Sequence, residues 1–160
     1  INVKLTDGSK EIILATREGI AVRFNENDVR ATGRSSKGVR GIRLSENDYV
    51  IGMVVATDEK TLLTVTENGY GKRTKISEYR LINRGGSGVK NILCSERNGK
   101  VVSINSVSEH DEIMLITKNG ITIRMPVSQI SVISRATQGV RLIRLHENDK
   151  LVSVAKIVKE

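Results

Sequence analysis

The chain has 160 residues, with 26 Lys and Arg against 18 Asp and Glu, a net charge of +8 and a pI near 9.8. That balance favours a polyanionic partner, nucleic acid first and an anionic membrane surface second. With 38% apolar and 28% charged residues the chain can bury a core as one domain or as a few stacked small units, and no apolar run approaches the ~20 residues that cross a bilayer.

The residues before the first hairpin, 1–10, are predicted to be the last strand of a preceding unit: Val3-Lys4-Leu5 alternates and Thr6-Asp7-Gly8-Ser9 supplies a turn. More of the protein is therefore expected upstream. Residues 1–5 are too short and mixed for a signal peptide. Residues 11–24 read as a hairpin, with Ile12-Ile13-Leu14-Ala15 going out, Glu18-Gly19 in the turn and Ile20-Ala21-Val22-Arg23-Phe24 returning. Period two points Ile20, Val22 and Phe24 inward and Arg23 outward. The matching turns are Glu67-Asn68-Gly69 and Lys118-Asn119-Gly120, and Asn-Gly is a strong hairpin signal because both residues tolerate positive φ.

After the first hairpin a connector over residues 25–37 leads to Gly38, and residues 39–44 are expected as a third strand. A tight turn follows, Ser45-Glu46-Asn47-Asp48, with Glu96-Arg97-Asn98-Gly99 and His146-Glu147-Asn148-Asp149 in the same slot. A fourth strand closes each unit, over residues 49–56, 101–104 and 151–157. Four short strands in each of three tandem units of ~50 residues match propeller-type blades. The boundaries are residues 1–10 for the preceding strand, then 11–60, 61–111 and 112–160. No helix is predicted: residues 127–135 alternate rather than repeat at three and four, and Pro126 suits a strand end or open edge.

The units share a basic grammar. Gly38, Gly88 and Gly139 are spaced by 50 and 51 residues. Four residues before each stands Arg34, Arg84 or Arg135; two after stands Arg40, Lys90 or Arg141. Five after come Arg43, Leu93 and Arg144. A further basic position lies four residues after each hairpin-turn glycine: Arg23, Arg73 and Arg124. Residues 30–44 and 118–144 each hold five cations and no acid, and residues 72–90 hold six against Glu78 alone. In unit two Lys72 stands where its siblings have Val22 and Ile123. The carboxylates gather in turns joining other strands and are expected to point away from a basic border. That border is predicted to contain Arg23, Arg34, Lys37, Arg40, Arg43, Lys72, Arg73, Lys75, Arg84, Lys90, Arg124, Arg135, Arg141 and Arg144, each meeting a phosphate without reading bases. The few aromatics, Phe24, Tyr49, Tyr70 and Tyr79, argue against a single-strand platform.

Thr32-Gly33-Arg34-Ser35-Ser36-Lys37-Gly38-Val39-Arg40-Gly41-Ile42-Arg43-Leu44, Asn68-Gly69-Tyr70-Gly71-Lys72-Arg73-Thr74 and Thr137-Gln138-Gly139-Val140-Arg141-Leu142-Ile143-Arg144 resemble the carboxy-terminal domain of DNA gyrase A. The resemblance runs over essentially the whole chain. It implies an all-β fold, a six-bladed β-pinwheel whose blades exchange a strand, of which this chain would be the last three four-stranded blades. It implies wrapping of double-stranded DNA around the basic perimeter, in support of ATP-driven negative supercoiling. The implied partners are the remaining blades and catalytic domain of gyrase A, and gyrase B. ATP and Mg belong to other parts of that enzyme and no cofactor to this piece; a cytoplasmic place is implied, without a membrane. The family's Gln-Arg-Arg-Gly-Gly-Lys-Gly box is absent; Arg84-Gly85-Gly86-Ser87-Gly88 echoes part of it.

Catalysis finds little support. Arg84-Gly85-Gly86-Ser87-Gly88 lacks the Gly-Lys-Ser/Thr ending and a following helix that a nucleotide loop needs. His110 and His146 sit in acidic turns without a second ligand at metal spacing, and Glu109, Asp111 and Glu112 lack calcium-loop spacing. The single Cys94 allows no internal disulfide, reads as a small buried apolar residue and fits a reducing cytoplasm. Two alternatives remain beside DNA wrapping by a gyrase domain. One is the carboxy-terminal domain of the topoisomerase IV protein that corresponds to gyrase A. The other is a protein-binding propeller resembling the chromosome-condensation regulator repeats.

Overall fold

A computed structural model describes residues 1–157. Three hairpins carry the architecture. Strands β1 (Glu11–Thr16) and β2 (Ile20–Asn25), β4 (Thr61–Thr66) and β5 (Tyr70–Lys75), and β8 (Glu112–Thr117) and β9 (Thr122–Pro126) are joined through Gly19, Gly69 and Gly120, at φ of 91°, 86° and 86°. A side chain is disfavoured in that left-handed region, so the turn glycines set where each chain reverses. The long closing strands β3 (Val50–Ala56), β7 (Val101–Val107) and β11 (Leu151–Ile157) pair antiparallel with β1, β4 and β8 on the side away from the hairpin partner.

Two short strands tie the units together. β6 (Val89–Lys90) belongs by sequence to unit two but pairs with β2 of unit one, and β10 (Val140–Arg141) of unit three pairs with β5 of unit two. The sheets therefore run β3-β1-β2-β6, β7-β4-β5-β10 and β11-β8-β9. Gly88 and Gly139, at φ of 75° and 76°, steer the chain into these pairings, and an added Cβ would lie 2.4 Å from Ala21 O and 2.8 Å from Gly71 O respectively. Gly38 has the same φ of 77° with nothing within 4 Å of an added Cβ.

The expected strand at residues 39–44 is not formed: among the described residues no unit stands before the first sheet to accept it, and a two-residue pairing has no stability without its acceptor. Only Ile42 of this stretch is buried, against Ile12, Val22 and Phe24. Residues 1–10 likewise form no strand and are exposed throughout, for the same want of an adjacent edge. No α-helix occurs among the described residues, and none is long and apolar enough to cross a membrane.

The cores lie between successive sheets. Ile13, Ala15, Ala21 and Val54 of the first sheet meet Leu62, Ile76, Tyr79, Ile92, Val101 and Ile104. Leu63, Val65 and Val107 of the second meet Ile113, Leu115, Val127, Ile130 and Leu151. Adjacent residues such as Leu62 and Leu63 face opposite ways, so β4 and β7 of the middle sheet serve both cores. The single-turn 3-10 helices Ile76–Glu78 and Val127–Gln129 present apolar residues at i and i+3, eclipsed by their three-residue turn, so Ile76 with Tyr79 and Val127 with Ile130 plug the two seams. Each such side chain contributes roughly 1.5–3 kcal/mol. In Glu26–Asp28 the same positions are Glu26 and Val29, and Val29 is exposed.

Candidate nucleic-acid interface

The repeated cations divide into two structural classes. Those after the hairpin turn are drawn inward. Arg23 is not the outward residue that strand alternation predicts: its side chain is 10% exposed, because unit two packs over that face of β2. Its Nε donates to Glu11 Oε2 at 2.6 Å, Nη1 to the carbonyls of Ile76 and Tyr79 at 3.0 and 3.2 Å, and Nη2 to Asp58 Oδ1 at 2.9 Å. Arg73 repeats the arrangement one unit on, with Nε on Ile130 O at 2.8 Å and Nη1 on Glu109 Oε2 at 2.6 Å. The Arg73 guanidinium holds the Glu109 carboxyl below its ordinary range. Both arginines clamp the 3-10 turn of the following unit and are spent on that task. Arg124, at the same position in unit three, is exposed and pairs with Glu112.

The arginines four residues before the pivots also fasten units. Arg84 Nε donates to Asp28 O at 2.9 Å, and its Nη1 donates to Arg40 O. Arg135 donates to Glu78 O and Lys90 O, both at 3.0 Å. These acceptors correspond position for position. Arg34, the first of the series, is exposed.

Lys72 is wholly buried, contrary to its expected place on the border. Its Nζ donates to Asn91 O and Ser134 O at 2.7 Å and to Thr137 Oγ1 at 3.1 Å. Burial lowers its pKa to about 8, by disfavouring the charged form. The ammonium joins the connectors of units two and three and is out of reach of a ligand.

What remains at the surface is Arg34, Lys37, Arg40, Arg43, Lys75, Lys90, Arg124, Arg141 and Arg144, all exposed. Lys90 and Arg141 stand on the exchange strands at the seams between consecutive sheets; Arg40 holds the same position after its own pivot, and Arg43 and Arg144 stand three residues further along. The acidic turns do not all point away from these cations. Asp48 Oδ1 accepts from the amides of Glu18 and Tyr49, and Asp149 Oδ1 from those of Asn119 and Lys150. Each carboxylate thus braces the hairpin turn of its own unit. In unit two the carbonyl of Asn98 replaces it, accepting from Asn68 N at 3.2 Å.

Sequence reasoning missed Arg97 and Lys150. Together with Arg141, Arg144 and Tyr70 they line an open cleft of about 590 Å³ at the seam of units two and three. Arg97 Nε and Arg141 Nη2 both donate to Tyr70 Oη, at 3.2 and 2.9 Å, and hold its phenol below its ordinary pKa. The available signal was one of length: the interval from pivot glycine to closing strand is 13 residues in unit two (Gly88 to Val101) and 12 in units one and three. That extra residue sits in the turn that carries Arg97.

Comparison with known proteins sets this geometry in a family. The model of the DNA gyrase C-terminal domain, beta-propeller, matches residues 10–57, 60–108 and 111–157. DNA gyrase A of Staphylococcus epidermidis is 46% identical over the whole of this chain, which spans 18% of that relative's length. A solved structure of the DNA gyrase A C-terminal domain is 34% identical with a TM-score of 0.88, over 96% of this chain and 52% of the other. A crystal structure of the C-terminal domain of DNA topoisomerase IV is 28% identical with a TM-score of 0.91, over 98% of this chain and 49% of the other. With three consecutive matches that take in nearly every described residue, the chain belongs to the DNA gyrase C-terminal domain family of β-propellers.

Proposed function

We propose that the chain is a non-catalytic module that binds and bends duplex DNA for a type II topoisomerase, supporting negative supercoiling by gyrase. One observation carries this: Arg40, Arg43, Lys90, Arg141 and Arg144 recur at fixed offsets after the pivot glycines and remain exposed, while the cations at the other repeated positions are largely consumed as fasteners. A row of exposed cations at successive seams offers phosphates a track that steps from sheet to sheet. Contacts of this kind are sequence-tolerant. Bending a site of 20–30 base pairs by 40–90° costs on the order of 1–6 kcal/mol, which several charge-assisted contacts offset. The reading assigns no cofactor to this chain, leaves ATP and Mg to the catalytic parts of a larger enzyme, and takes the rest of gyrase A, together with gyrase B, as partners in the bacterial cytoplasm.

The test is ligation of nicked circular DNA in the presence of the protein. A shift in the mean linking number that grows with protein added is the expected result. Saturated binding with an unchanged linking number would leave a binding module without a wrap of fixed handedness. A second reading, a topoisomerase IV domain, is favoured by the TM-score of 0.91 to that enzyme's C-terminal domain. An intact enzyme that relaxes and decatenates but never supercoils would select it.

A further inference from the structure

The seams of this molecule are not equivalent. Beside β2, Lys90 stands across from Ile20, the position five after the pivot is Leu93, and Lys100 is neutralised by Glu18 at 2.6 Å. Beside β5, Arg141 stands across from Tyr70. The guanidinium carbons of Arg141 and Arg97 lie 5.4 and 5.3 Å from the Tyr70 ring centroid. Arg144 and Lys150 line the same cleft. Its one lining carboxylate, Asp149, is 4% exposed and has Oδ1 engaged by two backbone amides.

We propose that this cleft is a dedicated phosphate seat, taking two adjacent phosphodiester groups of duplex DNA on Arg97, Arg141, Arg144 and Lys150, so that unit two sets the position of the bound duplex. The proposal rests on the DNA-binding reading above and adds an asymmetry to it. Its physical basis is pre-organisation. A guanidinium is a planar fork matched to phosphate oxygens, and a free arginine loses rotamer freedom on binding. Here Tyr70 has already fixed two of them by hydrogen bond and by ring contact, leaving their remaining N–H groups to face the cleft's ligand. Tyr70 is in this scheme a positioning residue. The hydrogen bonds that Arg97 and Arg141 donate hold its phenol below the ordinary value.

The test measures affinity for a mixed-sequence duplex by fluorescence anisotropy over a range of salt. Arg97→Gln with Arg141→Gln should lower affinity by about tenfold or more and flatten the slope of log K against log salt by about 1.8, at 0.9 per phosphate contact. Lys90→Gln with Lys100→Gln, at the counterpart seam, should cost less than about threefold, with a slope change of no more than about 0.9. Tyr70→Phe keeps every cation, so affinity should fall about threefold with the slope unchanged; unaltered affinity would remove Tyr70 from the scheme. Arg144→Gln, at an exposed side chain, gives a second readout should the double variant fold poorly, and should flatten the slope by about 0.9. Equal losses from the two double variants would overturn the seat while leaving DNA binding in place; a wild-type chain that binds no duplex would overturn both. Tripolyphosphate binding by calorimetry that vanishes in the Arg97/Arg141 variant, with duplex affinity unmoved, would assign the cleft to a free polyphosphate and contradict the proposal.

Discussion

Arg73 and Arg141 both recur at fixed offsets from a glycine, yet one is 4% exposed and the other is at the surface. The recurrence was legible in the sequence; its meaning was not. Period-two reasoning assigns a side chain to a face of its own sheet and says nothing of what covers that face. In this stack a second sheet covers it, so the outward arginines of β2 and β5 become inter-unit clamps. Arg73→Ala leaves Ile130 O and Glu109 without their donor. Leaving the buried Ile130 carbonyl without its donor costs about 1–3 kcal/mol, and the pair with exposed Glu109 adds little to that. Urea denaturation should show that loss, while duplex affinity of the folded variant stays within about twofold of wild type. Arg141→Gln should do the reverse. A loss of DNA affinity in folded Arg73→Ala would return that residue to the interface.

The hairpins could be read directly from Glu-Gly and Asn-Gly turns, because the φ > 0 requirement is local. The exchange strands could not be bounded in this way. Their two residues, Val89–Lys90 and Val140–Arg141, are defined by the neighbour that receives them, and residues 39–44 carry the same grammar without an acceptor. Connectors rather than strands also hold the most consequential buried charge. Lys72 reaches from β5 to the connectors of units two and three, with a pKa lowered to about 8 against 10.5 when unfolded. Below pH 8 both states are protonated and the burial penalty is constant. Between pH 8 and 10.5 the unfolded chain binds more protons, so the contribution of Lys72 to stability rises with pH, at up to about 1.4 kcal/mol per unit. The stability of wild type minus that of Lys72→Met should therefore move in wild type's favour by on the order of 1–3 kcal/mol from pH 8 to 10. The difference isolates Lys72 from Tyr79, whose phenol burial raises and whose stabilising contribution is lost above pH 10. A flat difference would show that Nζ meets no burial penalty.

At the scale of the molecule, one repeat unit yields a stack of sheets whose seams serve two purposes. The inner side of each seam is closed by an apolar plug and an arginine clamp, and the outer side displays the next unit's cation. Composition and charge pointed to a polyanionic partner, the reading on which the proposed function builds, and the repeat was enough to anticipate blades. The concentration of charge at Arg97, Arg141, Arg144 and Lys150 was hidden, since it depends on one added residue in a turn and on which unit's edge receives an exchanged strand. The central claim is that the exposed cations act as a set on DNA phosphates. The salt dependence of duplex binding tests it most directly. With five or more phosphates neutralised, log K against log salt should fall with a slope of about −4.5 or steeper. A slope shallower than about −3, or binding indifferent to salt, would contradict the account.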